Sequence, residues 1–250
     1  MLLEGKVVFV TGSARRVGRA IAMAFADQGA NLVIHHASPS SAARAQTAVE
    51  EAKKRGVNAV ITTGDQGNPD DVSRMMMEIQ ACYGRLDVLI NSAALFRRAD
   101  FLEIDHAGWQ RVMDVNLTGP FLLTQATARL MIGGGIQGAI INIADNAGLQ
   151  GWAAYPHHSV SKAGLVMLTK VSALALADKG IRVNCVVPGP VLAPPGAEET
   201  FEMVVERLPL GRSGNPRDVA DACVFLSQNE FATGSILRVD GGEGIASREA

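Results

Sequence analysis

Short apolar runs alternate with helical stretches of ten residues or more along the whole sequence, and this alternation restricts the fold more than any other feature. Lys6–Val10, Asn31–His35, Asn58–Thr62, Leu86–Asn91, Ala139–Ala144, Ile181–Val187 and Ser235–Val239 read as strands. Between them, Arg19–Gln28, Ala42–Arg55, Asp70–Tyr83, His106–Ile132 and His157–Lys179 read as helices, with another starting near Asn215-Pro216. Asn68-Pro69 and Gly84 are the start and stop signals of the third helix. Strands alternating with helices imply βαβ units and a parallel sheet. Several strands are apolar throughout, as needed when helices cover both faces. Right-handed crossovers then give an α/β, doubly wound, seven-stranded parallel sheet. No Pro-, Gly- or Ser-rich linker divides the sequence, so residues 1–250 read as one domain. The least regular stretch is Pro188–Gly196 with the helix after it, and about 188–212 is the expected substrate loop and helix.

Composition narrows the partners. Lys plus Arg number 23 and Asp plus Glu 25, a formal net charge of −2. Such a balance argues against a duplex nucleic-acid binder, which needs a basic face. No continuous apolar run reaches the roughly 18 residues of a membrane span, and the first ten residues lack the order of a signal peptide. Cys82, Cys185 and Cys223 are scattered and odd in number. They offer no disulfide framework and no metal spacing, which points to a reducing, cytoplasmic setting. Of the histidines, His35-His36 and His157-His158 are adjacent pairs whose side chains diverge, and no Cys or carboxylate completes a metal set.

In a doubly wound sheet, ligands sit at the carboxyl ends of the strands. The first such end is Thr11-Gly12-Ser13-Ala14-Arg15-Arg16-Val17-Gly18. Gly12 permits a tight turn, and Gly18 permits close helix–strand packing where a helix N-terminus can hold a pyrophosphate. A strand, this turn and a helix in that order suit a Rossmann-type dinucleotide site. The second strand ends in His35-His36-Ala37-Ser38, with no Asp or Glu to accept from an adenosine ribose. A 2′-phosphate needs positive charge and hydroxyls instead. Arg15, Arg16 and Ser38, with His35 or His36 nearby, favour NADP(H) over NAD(H).

At this point the sequence resembles a short-chain dehydrogenase/reductase over essentially its whole length. Thr11-Gly12…Gly18 is similar to the family's cofactor turn. Asp65 matches the acid that contacts adenine. Asn91-Ser92-Ala93-Ala94 matches an Asn-Asn-Ala-Gly segment with two substitutions. Asn116 and Lys162 match the Asn and Lys of the catalytic tetrad, and Pro188-Gly189 matches the proline-glycine after the sixth strand. The resemblance also assigns Val17, Gln66, Ser92, Ala93, Lys162 and Val191 to the cofactor. It implies a small-molecule substrate and a homotetramer built on the helices around His106–Ile132 and His157–Lys179. Within the family, the arginine-containing turn, the His after the second strand, Phe96 and Asp145 resemble pteridine reductases. There Phe96 would stack a pterin ring, and Asp145 stands where a catalytic Ser is usual.

One position departs from the family. Four residues before Lys162 stands His158, where the resemblance implies the Tyr that donates a proton as hydride arrives. Three readings follow. His158 is the acid, with Asp145 orienting the ring and stabilising imidazolium. Alternatively, Tyr155 takes over the role, although Pro156 puts it at a helix entrance beside the substrate pocket. In the third reading the chain keeps its cofactor and has lost carbonyl reduction, a pseudoenzyme with a structural or sensing role. A hydrolase triad of Ser161, His158 and Asp145 lacks a nucleophile elbow.

Overall fold

The computed structural model describes residues 1–193 and 198–246. Of the expected substrate segment, residues 194–197 lie outside the described ones. Among the described residues, seven parallel strands form one sheet: β1 (Val7–Val10), β2 (Asn31–His36), β3 (Ala59–Thr63), β4 (Val88–Asn91), β5 (Ala139–Ile143), β6 (Arg182–Pro188) and β7 (Ile236–Val239). Their spatial order is β3-β2-β1-β4-β5-β6-β7. The order reverses between β1 and β4, which opens a crevice at their carboxyl ends. Among the described residues, eight α-helices flank the sheet: α1 (Arg16–Ala26), α2 (Ala42–Lys54), α3 (Pro69–Tyr83), α4 (His106–Met113), α5 (Gly119–Gly133), α6 (Pro156–Leu176), α7 (Glu198–Glu206) and α8 (Pro216–Gln228).

The two faces of the sheet explain its apolar strands. Val8 and Val10 of β1 pack with Ile21 and Phe25 of α1 and Val219 and Leu226 of α8. Val7 and Phe9 point the other way, toward Met75, Ile79, Leu123 and Met131 of α3 and α5. Alternate residues thus enter different cores, and each fully buried side chain contributes about 1.5–3 kcal/mol.

Helix starts follow their caps. Asn68 accepts from the N–H groups of Asp70 and Asp71 at the head of α3, and Gly84 ends that helix at φ 65°. Asn215 and Asp218 form a reciprocal capping box on α8. Helix α1 begins at Arg16, three residues earlier than the periodicity predicts.

The expected single helix His106–Ile132 is interrupted. A π-helical turn, Asp114–Thr118, separates α4 from α5, and Gly119 N–H reaches back five residues to Asp114 O. Pro120 has no N–H for the carbonyl four residues earlier, at Asn116. The widened turn is the backbone that carries Asn116, a common use of such bulges.

Residues 156–179 reach the length and mean hydropathy of a bilayer span, 24 residues and 1.5, which no uninterrupted apolar run in the sequence does. The helix nevertheless packs against β6 and buries His157, His158, Ser161, Lys162 and Thr169 in the protein interior.

Candidate active site

The turn after β1 is held from three sides. Thr11 Oγ1 accepts from Ser92 N–H at 3.0 Å and from Ala93 N–H at 2.9 Å, which joins the ends of β1 and β4. Gly12 has φ +68°, and a Cβ there would lie 3.1 Å from Ala93. A Cβ on Gly18 would lie 2.6 Å from Gly12 O, so only glycine allows this approach of helix to turn. Beneath the turn, His35 Nδ1 accepts from Gly12 N–H at 2.9 Å. Its proton therefore sits on Nε2, which donates to Gly64 O at 2.9 Å. Burial pushes this imidazole down to about 4. Ser13 Oγ completes the base by accepting from His35 N–H at 2.9 Å.

These contacts correct the sequence reading of the 2′-phosphate site. His35 has both ring nitrogens on backbone groups and supports the turn from below, because it lies on the inner side of β2. His36 is also buried, with Nδ1 3.0 Å from Ser38 O and Nε2 3.1 Å from Thr63 Oγ1. Arg16 adopts φ +51°, the left-handed region, and its Nη2 donates to Leu192 O and Ala193 O at 3.0 and 3.1 Å. Its guanidinium thus faces the segment after β6. Arg15 is exposed, and its guanidinium has no hydrogen-bond or ion-pair partner among the described residues. Ser38 Oγ lies 2.8 Å from Ser40 Oγ.

Two other expected cofactor residues turn inward. Gln66 is buried, and its Nε2 donates to Ala93 O at 3.0 Å and Val115 O at 2.7 Å. Its side chain braces the π turn against the β4 end through Nε2, and its Oε1 is buried without a partner among the described residues. Asn91 Nδ2 donates to Asn142 Oδ1 at 2.8 Å across neighbouring strands. Asp65 caps Gly67 N–H at 2.9 Å and pairs with Arg111 Nη1 at 2.5 Å. Val17 stands in the first turn of α1. Pro188 ends β6, Gly189 N–H donates to Val239 O at 3.0 Å, and Val191 is buried beyond them.

At the other end of the crevice, Asn116, Asp145, His158 and Lys162 converge. Asn116 and Leu95 form a reciprocal pair: Leu95 N–H donates to Asn116 Oδ1 at 2.7 Å, and Asn116 Nδ2 donates to Leu95 O at 2.9 Å. Asn116 Nδ2 also donates to Ser161 Oγ at 3.0 Å. Ser161 in turn donates to His158 O at 2.7 Å, so its hydroxyl meets the helix backbone and forms no triad. His158 Nδ1 lies 3.0 Å from Leu95 O, and Nε2 lies 2.5 Å from Asp145 Oδ2. Both ring nitrogens of His158 thus face acceptor oxygens, and the donor Asn116 Nδ2 also lies 3.4 Å from Nδ1. Burial pushes the Asp145 carboxyl up, but the His158 hydrogen bond and the charges of His158 and Lys162 outweigh it and hold it below the usual range. Lys162 Nζ donates to Ile143 O at 2.6 Å. Burial pushes that ammonium down, against the pull of Asp145.

Aromatic rings cover this group. Phe96 stacks on Tyr155 at 4.2 Å and 19°, and it meets His158 in a T-shaped contact at 4.8 Å. One face of Phe96 is therefore already occupied by Tyr155, the N-cap of α6, rather than free for a substrate ring. Trp152 adds an edge contact to Tyr155. The His158 side chain is 2% exposed and that of Asp145 21% exposed, so Asp145 is the more accessible member of the pair, although its Oδ1 is buried and has no hydrogen-bond partner among the described residues. Sequence reasoning missed Leu95, which acts through its backbone, and Arg111, whose partner is remote in sequence. It placed Thr11 in the cofactor turn but gave its hydroxyl no role.

The comparisons with known proteins agree with this geometry. Residues 12–243 match the family described as Enoyl-(Acyl carrier protein) reductase. A 3-oxoacyl-[acyl-carrier-protein] reductase of Synechocystis is 36% identical over 243 residues, 96% of this chain and 97% of that protein. An L-rhamnose 1-dehydrogenase (NAD(P)(+)) of Azotobacter vinelandii is 36% identical over 250 residues, 97% of this chain and 98% of the relative. Among solved structures, a blue fluorescent protein from a metagenomic library in complex with NADPH has a TM-score of 0.90 at 32% identity, covering 97% of this chain and 99% of the other. With the fold, the first turn and these relatives in agreement, the chain belongs to the short-chain dehydrogenase/reductase family of oxidoreductases.

Proposed function

We propose that this chain is an NADP(H)-dependent reductase that transfers hydride to a pteridine-like heterocycle or a carbonyl compound, with the Asp145–His158 pair supplying the proton. The observation that carries this reading is the 2.5 Å contact between His158 Nε2 and Asp145 Oδ2, with Leu95 O on the other ring nitrogen. The pair shares one proton between His158 Nε2 and Asp145 Oδ2, and Asp145 is its more accessible member. As hydride reaches the acceptor, the one proton the pair shares passes from His158 through the Asp145 carboxylate to the developing anion, leaving Asp145 ionised and His158 neutral. The pair titrates as a unit, and no separate value belongs to either member. A pterin nitrogen is more basic than a ketone oxygen and needs a weaker acid, which suits a carboxyl–imidazole pair.

The residues present fit a dinucleotide. Gly12 and Gly18 leave a cradle that any Cβ would fill, and α1 has neither a side-chain cap nor an acid in its first turn, which suits a pyrophosphate. Gly12, Arg15, Val17 and Gly18 would hold that pyrophosphate, and Lys162 would hold the nicotinamide ribose. When bound, NADP(H) supplies the hydride. The preference for NADP(H) rests on the unpaired Arg15, on Ser38 and on the absence of an acid at the end of β2. The NADPH complex of the metagenomic relative supports it.

A second reading, cofactor binding without turnover, draws on the cover that Phe96 and Tyr155 form over His158. Exposed apolar residues on α5 and α6, Phe121, Met167, Val171 and Leu174, support a homotetramer. Three free thiols suit a reducing cytoplasm. The experiment is NADPH consumption followed at 340 nm with dihydrobiopterin, dihydrofolate, a diketone and an aromatic aldehyde, and NADH in parallel. Turnover of any of these with NADPH is the expected result. Calorimetric NADPH binding without turnover across the panel would favour the second reading.

A further inference from the structure

Beside the pair, one buried contact joins the chain after β7 to the residue that follows Asp145. Asn146 is fully buried, and its Nδ2 donates to Glu243 Oε2 at 2.6 Å and to Asp240 Oδ2 at 3.2 Å. Asp240 is fixed in turn by the N–H groups of Gly242 and Gly244 at 3.0 and 2.9 Å. Gly189 packs on Asp240 so closely that a Cβ would lie 2.7 Å from its Cα. Residues 240–244 thus bridge the turn carrying Asp145 and the loop after β6. Glu243 is half-buried. Burial pushes its carboxyl up, Asn146 acts the other way, and the charges of Asp240 and Asp145 push it up further. Coulombic coupling is mutual: whatever Asp145 does to the ionisation of Glu243, Glu243 does to that of the pair.

We propose that Glu243 is a positioning residue for the Asp145–His158 pair: through Asn146 it fixes the turn that carries Asp145, and its negative charge holds the proton on the pair. This inference rests on reading that pair as the proton donor. Other groups also face the pair. Lys162 from α6 opposes proton retention, and Asp240, in the same turn as Glu243, adds its charge against Glu243. Cys185 on β6 is a thiol pushed up to about 11 by burial and stays neutral. His157 adjoins His158 and has Arg97 nearby. Loss of a proton takes the pair from neutral to negative. An ionised Glu243 disfavours that step and offsets Lys162.

Glu243→Gln tests this, because it keeps an oxygen for Asn146 and removes the charge. NMR of the histidine ring protons in the full chain follows the pair's titration midpoint without needing turnover. The midpoint is expected to fall by roughly half to one pH unit, as for one partly screened charge. The basic limb of kcat against pH falls with it. Glu243→Asp keeps the charge and loses reach toward Asn146, so kcat drops while the midpoint stays near that of the wild type. A Gln variant with an unmoved midpoint overturns the proposal, whatever its melting temperature. His158→Phe with wild-type turnover would instead remove the proton-donor reading and leave the NMR result standing.

Discussion

Two histidines, one at each end of the crevice, are equally buried, with 1% of each exposed, yet their partners differ. His35 has a donor on Nδ1, the Gly12 N–H, and an acceptor on Nε2, the Gly64 carbonyl. Such a ring is satisfied only when neutral. His158 Nε2 faces an acceptor, Asp145 Oδ2, and Nδ1 faces both the acceptor Leu95 O at 3.0 Å and, farther off at 3.4 Å, the donor Asn116 Nδ2. Such a ring, together with its carboxylate, accommodates an extra proton. Burial alone therefore does not assign a role. The partners make the first histidine a fixed support and the second a proton carrier.

The largest effect is expected at the proton carrier. Asp145→Asn replaces the carboxylate on Nε2 with an amide and removes the more accessible member of the pair. Turnover is expected to fall about 10²–10⁴-fold while NADPH affinity measured by calorimetry stays within a few-fold. A variant that loses NADPH binding and turnover in equal measure would place Asp145 in the cofactor site instead.

His35 gives the opposite pattern. His35→Ala leaves Gly12 N–H and Gly64 O without their side-chain partner, and an unmade buried hydrogen bond costs about 1–3 kcal/mol. NADPH binding should weaken roughly tenfold, and denaturant unfolding should show the stability loss. The kcat at saturating NADPH should change little. A collapse of kcat at saturation would blur the distinction between the two rings.

Acid sharpens the same contrast. The ordinary histidine value of 6.5 applies to the unfolded chain, and burial takes His35 down to about 4 in the folded one. The unfolded state binds the extra proton first. The stability contributed by a neutral His35 is full above 6.5 and is lost as pH falls toward 4, by about 3 kcal/mol. Urea unfolding between pH 7 and pH 4.5 checks this. His35→Ala should lose correspondingly less stability than wild type over that interval.

The smallest effect is expected at Asp65. Its pair with Arg111 is partly exposed, with side chains 33% and 42% accessible. Such pairs contribute about 0–1 kcal/mol. Arg111→Leu should change the KM for NADPH less than about threefold in steady-state assays.

Much of this was legible in the sequence. The order of strands and helices, the caps at Asn68 and Asn215 and the glycines at 12 and 18 are local signals, set by short-range sterics and hydrogen bonds. The convergence of Asn116, Asp145, His158 and Lys162 was legible only through family resemblance, since these residues are far apart in the chain. What escaped depends on which way a side chain turns. Gln66, Asn91 and His35 point into the protein because buried carbonyls and amides there need partners. Arg16 turns to Leu192 and Ala193 because its backbone is left-handed. The break in the long helix at Asn116 was hidden in Pro120, whose missing N–H has its consequence four residues upstream.

The most direct test of the proton-carrier account is a double-mutant cycle on hydride transfer in a single turnover. It compares wild type, Asp145→Asn, His158→Phe and the double variant, each saturated with NADPH. If the pair works as one unit, each single variant loses most of the rate and the double variant is no slower than the worse single one. Independent, multiplying losses, or either single variant with the wild-type rate, would contradict it.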